Sequence, residues 1–161
     1  MPDMDNQAGT PNDDEVAAKL RGVLDGLGTL TLATCGEGVP WAAGGFFAED
    51  GLFTLHMILE TQGRTMTNLR SNPRVGVSIT TGNPFEPYVQ AEADVEVLSE
   101  ADEVAAAHAA LKAKTPAMEP LFAMPVETVR LRVRTWKVSD IPNGWLPAKV
   151  LTAPSDLNAV R

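Results

Sequence analysis

The residues best suited to do chemistry form one short run, Gly63-Arg64-Thr65-Met66-Thr67-Asn68-Leu69. It joins an apolar stretch to a segment with helical spacing. The start of a helix offers free backbone N–H groups and a partial positive charge, and an arginine beside it completes an anion pocket. A phosphate fits such a pocket. The same residues also suit a plainer part, with Thr65 capping the helix and Arg64 a solvated surface charge. A second run, Trp41-Ala42-Ala43-Gly44-Gly45-Phe46-Phe47, reads as a strand whose middle has almost no side chain. Glycine weakens a strand, so the usual compensation is close approach by another backbone or a flat ligand; a β-bulge or barrel corner is the alternative.

The two histidines, His56 and His108, lie far apart, with no cysteine cluster and no His-x-x-x-His spacing, so no metal site is expected. His56 sits in a strand, where it can bond a ligand or serve the structure. Arg130, Arg132 and Arg134 alternate along one strand and Glu92, Asp94 and Glu96 along another; mutual neutralisation across strands is the expected outcome. Trp136 and Trp145 suit either stacking on a ligand or subunit contact, and interface packing is the expected role. There is no nucleophile beside a base, and no phosphate-binding P-loop, G-x-G-x-x-G or G-x-S-x-G signature. An enzyme built from these residues borrows its reactive group from a cofactor.

The elements that must position these residues follow from periodicity. Residues 1–12, rich in Asp, Asn, Gly and Pro, are expected to be a mobile arm. Val16, Ala17, Leu20, Val23, Leu24 and Leu27 recur at helical spacing, with Asn12 as cap and Glu15 three positions on. Strands are predicted over 29–34, 39–48 and 52–58, with turns between them, and three consecutive strands suggest a meander. A short helix over 64–71 ends ahead of Pro73. Strands follow at 75–79 and 89–97, then an Ala-rich helix from a Ser99–Asp102 capping arrangement to about Ala113. Prolines 116, 120 and 125 are expected to forbid regular structure before a sixth strand at 129–138, and 141–161 reads as an irregular tail. Six strands in mostly local order, with three helices, predict a mainly β fold: an antiparallel barrel over 13–140 with peripheral helices.

Composition narrows the setting. A chain of 161 residues with 44% hydrophobic content fills one core. Thirteen basic against 21 acidic residues give a net charge of −8, the wrong sign for neutralising a nucleic-acid backbone. The single cysteine, Cys35, excludes an internal disulfide, and neither an export signal nor a membrane-spanning stretch is evident. A cytoplasmic protein with no membrane or nucleic-acid partner is expected.

From Gly51 to Ile79 the chain reads Gly-Leu-Phe-Thr-Leu-His-Met, then Gly63-Arg64-Thr65, then Asn68-Leu69-Arg70-Ser71-Asn72-Pro73-Arg74-Val75. With Leu32-Ala33-Thr34 and Val39-Pro40 ahead of it, this resembles the FMN-binding split barrel of the pyridoxamine 5'-phosphate oxidase-like family over roughly residues 14–140. The resemblance implies a six-stranded antiparallel split β-barrel and a flavin-dependent oxidoreductase acting on a small molecule. It also implies a homodimer with FMN at the interface. Carried over by position, Trp41, Ala42 and Ala43 border the flavin ring, His56 lies on the neighbouring strand edge, Gly63, Arg64 and Thr65 meet the phosphate, and Tyr88 approaches from the other subunit. Family members that hold FMN tightly usually have lysine where this chain has Thr65, and the oxidase proper has a basic residue in place of Gly45. The oxidase's carboxy-terminal Arg-Leu-x-Pro segment is not matched by Gly144-Trp145-Leu146-Pro147, so oxidation of pyridoxamine phosphate is not expected. Two alternatives fit the same fold. A deazaflavin coenzyme would need a basic groove from Arg70, Arg74 and the Arg130–Arg134 stripe. A non-catalytic flavin or haem protein would need, for haem, His56 or His108 as axial ligand.

Overall fold

A computed structural model describes residues 11–155. The first helix, α1 (Asp13–Gly26), begins as its sequence predicts, with the Asn12 side chain accepting from the Glu15 N–H at 2.9 Å. It buries Val16, Leu20, Val23 and Leu24. Each such side chain contributes about 1.5–3 kcal/mol when fully removed from water, and the stripe fixes α1 against the sheet. Of the expected mobile arm, residues 1–10 lie outside the described residues.

Eight strands follow: β1 (Thr29–Gly36), β2 (Val39–Phe46), β3 (Ala48–Glu49), β4 (Thr54–Glu60), β5 (Arg74–Ile79), β6 (Tyr88–Val97), β7 (Val126–Asp140) and β8 (Trp145–Thr152). They form one antiparallel sheet in the order β2-β1-β5-β6-β7-β4-β3, with β8 beside β7. The sheet curls into a half-barrel, the split barrel expected from the sequence. Its interior holds Leu32, Leu55, Met57, Ile79, Leu131 and Trp136 packed against Leu20 and Leu24 of α1. A smaller cluster of Ala48, Ile58, Leu111 and Met118 lies on the other side of β4.

Five expectations change. The six expected strands are eight, because the short β3 separates from β2 and β8 forms in the tail. The meander is not formed: β4 pairs with β7 over Thr54–Arg132 to Glu60–Val126, and not with β2. Residues Leu55 to Ile58 of β4 are all buried, so the strand needs cover on both faces, which the barrel core and the Ala-rich helix α3 (Ala101–Lys114) supply. The tail is not irregular, because β7 outruns β4 and its second half offers a free edge that β8 fills from Thr135–Thr152 to Asp140–Trp145. The prolines after α3 permit a 3-10 helix, Pro116–Ala123. Ser99 does not cap α3; Glu100 holds that position, without a side-chain cap. The far end of α3 is fastened by Lys114, whose ammonium reaches the Leu24 carbonyl at 2.6 Å and the Glu49 carboxylate and lies 4.0 Å from the Phe47 ring centre.

Candidate functional site

The helix α2 (Arg64–Ser71) has the bounds the sequence predicts. Gly63 stands before it with an extended backbone and no side chain caps the helix, so the N–H groups of its first turn lack an intrahelical acceptor. Thr65 is therefore not the cap; it is buried one position inside the helix. The helix is seated by Met66 and Leu69 in the core and is tied to β1 by polar contacts. Asn68 Nδ2 donates to Thr34 Oγ1 at 3.0 Å and Asn72 Nδ2 to the Cys35 carbonyl at 3.3 Å. Asparagine inside a helix is a poor helix former, and this was the one signal in the sequence that Asn68 has another task.

The seating brings Arg64 to Trp41. The guanidinium carbon stands 4.6 Å from the ring centre, a cation–π contact between two exposed side chains. Among the described residues Arg64 has no ion-pair partner, so its charge is free for an anion at the open helix start. A carboxylate stands next to the helix start: Glu60 Oε2 is 3.2 Å from where a Cβ on Gly63 would stand. Arg64 is thus an unpaired positive charge at the start of α2, and Arg74, also without an ion-pair partner among the described residues, lines the neighbouring cleft with Pro40 and Ala33.

Beside it runs the strand without side chains. A Cβ on Gly45 would come within 2.8 Å of the Met57 methyl, so this glycine lets β2 close on β4, the barrel-corner alternative. Gly44 faces the other way, and a Cβ there would meet only the Leu30 carbonyl, at 3.8 Å. The fold itself does not need Gly44. On that outward face Ala42, Ala33, Gly76 and Glu92 share one row and Gly44, Thr31, Ser78 and Gln90 the next, flanking shallow clefts of about 440 and 380 Å³. A flat molecule meets little steric opposition there.

His56 and Tyr88 are not part of this corner within one chain. His56 alternates with Met57 and so faces away from the Gly45 contact; it is 7% exposed, in register with Ala48 and Arg130. Its Nε2 accepts from Arg130 Nε at 3.4 Å, which leaves Nδ1 buried without a partner. Burial above all, and then the Arg130 charge, lowers its pKa below the ordinary 6.5, against the opposing pull of Asp50 and Glu103. The unfolded chain therefore takes up this proton first as pH falls below 6.5, and the stability present above that value drains away as pH drops toward the folded pKa. Urea unfolding from neutrality to about pH 5 is expected to show that decline, and His56→Phe to lessen it, the rest coming from His108, whose pKa burial and then the Lys112 charge also lower; a variant with an unchanged slope would mean His56 is not a source of it. Tyr88 is half-buried at the start of β6, opposite Ser139 and four positions from Glu92 in the row beside Trp41.

The remaining candidates have settled places. His108 bonds Thr128 Oγ1 at 2.7 Å and packs on Phe122 with ring centres 4.6 Å apart. Arg130 and Arg132 meet Glu96 at 3.5 and 3.4 Å, and Arg134 meets Asp94. Arg70 pairs with Glu127 at 2.7 Å. Trp136 is a fully buried core residue, not an interface one, with Nε1 donating to the Leu52 carbonyl at 2.7 Å. Among the described residues no cluster of three or more His, Cys, Asp or Glu could hold a metal, and no helix is long and apolar enough to cross a membrane.

The family model of pyridoxamine 5'-phosphate oxidase matches residues 16–138, from the first turn of α1 to near the end of β7. The chain belongs to this family. Three solved structures show how the pyridoxamine 5'-phosphate oxidase fold recurs. A heme binding protein from Mycobacterium smegmatis superposes with a TM-score of 0.73 at 22% identity, over 90% of this chain and 60% of its own. This chain therefore spans about three fifths of that protein's length. General Stress Protein 26 from Bacillus anthracis gives 0.64 at 17% identity, over 86% and 98% of the two chains. A FAD-binding protein from Mesorhizobium loti gives 0.58 at 22% identity, over 74% and 91%. At such identities the likeness shows the fold alone. No curated protein matches the sequence.

Proposed function

We propose that this member of the pyridoxamine 5'-phosphate oxidase family is an FMN-dependent oxidoreductase of a small-molecule substrate, working as a homodimer with the cofactor at the subunit interface. The observation that carries the reading is the Arg64–Trp41 contact at the uncapped start of α2. The residues fit the group. Arg64 and the first-turn N–H groups, with Thr65 beside them, would hold the phosphate. Trp41, Ala42 and Ala43 would border the ring through the backbone of β2. FMN, when bound, supplies the hydride chemistry; the chain binds it, orients it and keeps water from one of its faces. Tyr88 reaches the cofactor only from a second subunit, which is why the dimer belongs to the proposal.

Two other cofactors are less well served by these residues. A haem with histidine ligation needs an accessible imidazole nitrogen; His56 keeps only a buried Nδ1, its Nε2 accepting from Arg130, and the Nε2 of the partly buried His108 is bonded to Thr128. A deazaflavin with an extended acidic tail needs a basic groove. Of the arginines available for one, Arg70, Arg130, Arg132 and Arg134 are already paired with carboxylates. The test is a titration of the cofactor-free protein with FMN, followed by the quenching of flavin fluorescence and by absorption. Saturation at one FMN per chain, with the flavin bands retained after desalting, is the expected result. A protein that takes up haemin or a deazaflavin and ignores FMN would overturn the reading.

A further inference from the structure

A cleft of about 700 Å³ opens between α1, the loop from β5 to β6 and the first residue of β8. That volume lies in the range of about 300–1,000 Å³ typical of small-molecule sites. Its floor is a stripe of small residues along one helix face, Ala18, Gly22 and Gly26, spaced by four positions. A Cβ added at Gly22 would meet nothing within 4 Å. Glycine inside a helix is destabilising relative to alanine, and no close approach of the chain to itself requires it here. The half-buried Trp145 ring, Leu27 and Pro87 complete apolar walls.

Charge tells what kind of molecule suits the cleft. Glu15 and Glu86 line it, are exposed, and have no ion-pair partner among the described residues. The one cation in the lining, Lys19, is neutralised from below: its Nζ is 2.6 Å from Oδ2 of the buried Asp140, which also accepts from Asn143 at 2.7 Å. Lys19 Nζ also lies 5.4 Å from the Trp145 ring centre, so this ring already accepts a cation near its face. The cleft therefore combines apolar walls, an aromatic side and two carboxylates without an ion-pair partner among the described residues. It shares no lining residue with the Arg64–Trp41 corner.

We propose that this cleft binds an apolar organic cation of small-molecule size. Its flat or aliphatic body lies along Ala18 and Gly22 beside Trp145, and its positive charge is met by Glu15 and Glu86. The test uses acridine orange as cationic probe and 1-anilinonaphthalene-8-sulfonate as anionic probe, each titrated into the full chain and followed by fluorescence polarisation. Acridine orange is expected to saturate at one probe per chain and to bind about tenfold more tightly than the anionic probe. Gly22→Leu, whose Cβ would stand clear of the protein on the cleft floor, is expected to weaken it by about tenfold or more. The double variant Glu15→Gln/Glu86→Gln, at exposed positions that leave the fold intact, is expected to lower the affinity about three- to tenfold and to reduce its salt dependence. Equal affinity for the two probes, the absence of saturable binding, or unchanged affinity in either variant would overturn the proposal. Gly22→Leu shifting a dimer to monomer in sedimentation with probe affinity unchanged would assign the cleft to a second copy of the chain, and overturn it equally. Because these variants leave Arg64 and Trp41 untouched, failure here is distinguishable from failure of FMN binding.

Discussion

Replacing Arg64 with alanine raises the Kd for FMN by about 10- to 150-fold, the equivalent of one charge-assisted hydrogen bond to the phosphate. The expectation is large because Thr65, not a cation, occupies the neighbouring position and Glu60 approaches Gly63 from the other side. Stability is expected to stay within about 0.5 kcal/mol, since Arg64 is exposed and its neighbour in space, Trp41, is also at the surface. Trp41→Ala removes a contact worth about 0.5–1 kcal/mol at an exposed site and frees the guanidinium to wander, so a smaller loss of affinity is expected. Fluorescence titrations of the two single variants and the double variant separate the direct role of Arg64 from the aid Trp41 gives it. The two effects are expected to be non-additive, because Trp41 acts on the phosphate through Arg64.

Gly36→Ala is expected to destabilise the fold by about 2–4 kcal/mol, the sum of overpacking and a disturbed buried hydrogen bond. A Cβ at Gly36 would overlap the Asn68 amide oxygen and lie 2.8 Å from its Cγ. Asn68 cannot simply swing aside, since it is 6% exposed and its Nδ2 is held by Thr34 Oγ1 at 3.0 Å. For a chain of this length the loss amounts to about 5–15 °C in Tm, read by calorimetry or circular dichroism. The pair Gly36→Ala/Asn68→Ala is expected to be less damaged than the sum of its parts, because shortening Asn68 removes the overlap. An additive result would mean that Gly36 matters for its backbone and not for its closeness to α2. The consequence reaches the site, because α2 carries Arg64 and Asn68 is, with Asn72, a tie that sets it against β1.

How much of this was legible beforehand depends on the reach of the interactions involved. The bounds of α2 could be read from the sequence because Gly63 and Pro73 bracket it, and the β1–β2 hairpin because its turn residues and alternation are local. The partner of β4 could not be read, since its register with β7 joins positions such as His56 and Arg130 that are far apart in the chain. Strand β8 was hidden because Pro142, Gly144 and Pro147 resemble loop residues until the free edge of β7 is seen. Trp136 looked like a ligand or interface residue by type, yet its indole N–H finds the Leu52 carbonyl and lets the ring enter the core. In the site, Arg64 was visible from its place before a helix, but nothing in the sequence joins it to Trp41, 23 positions away. The cleft floor of Ala18, Gly22 and Gly26 is visible as a helical spacing once α1 is drawn, but its opposite wall, Trp145, comes from the strand that was missed.

The most direct measurement compares FMN with riboflavin, which lacks only the phosphate, on the parent protein and on Arg64→Ala. The parent is expected to prefer FMN by about 10- to 150-fold, and Arg64→Ala to bring the two ligands to nearly equal affinity. Equal affinity in the parent, or a preference for FMN that survives in Arg64→Ala, would contradict a phosphate held at the start of α2.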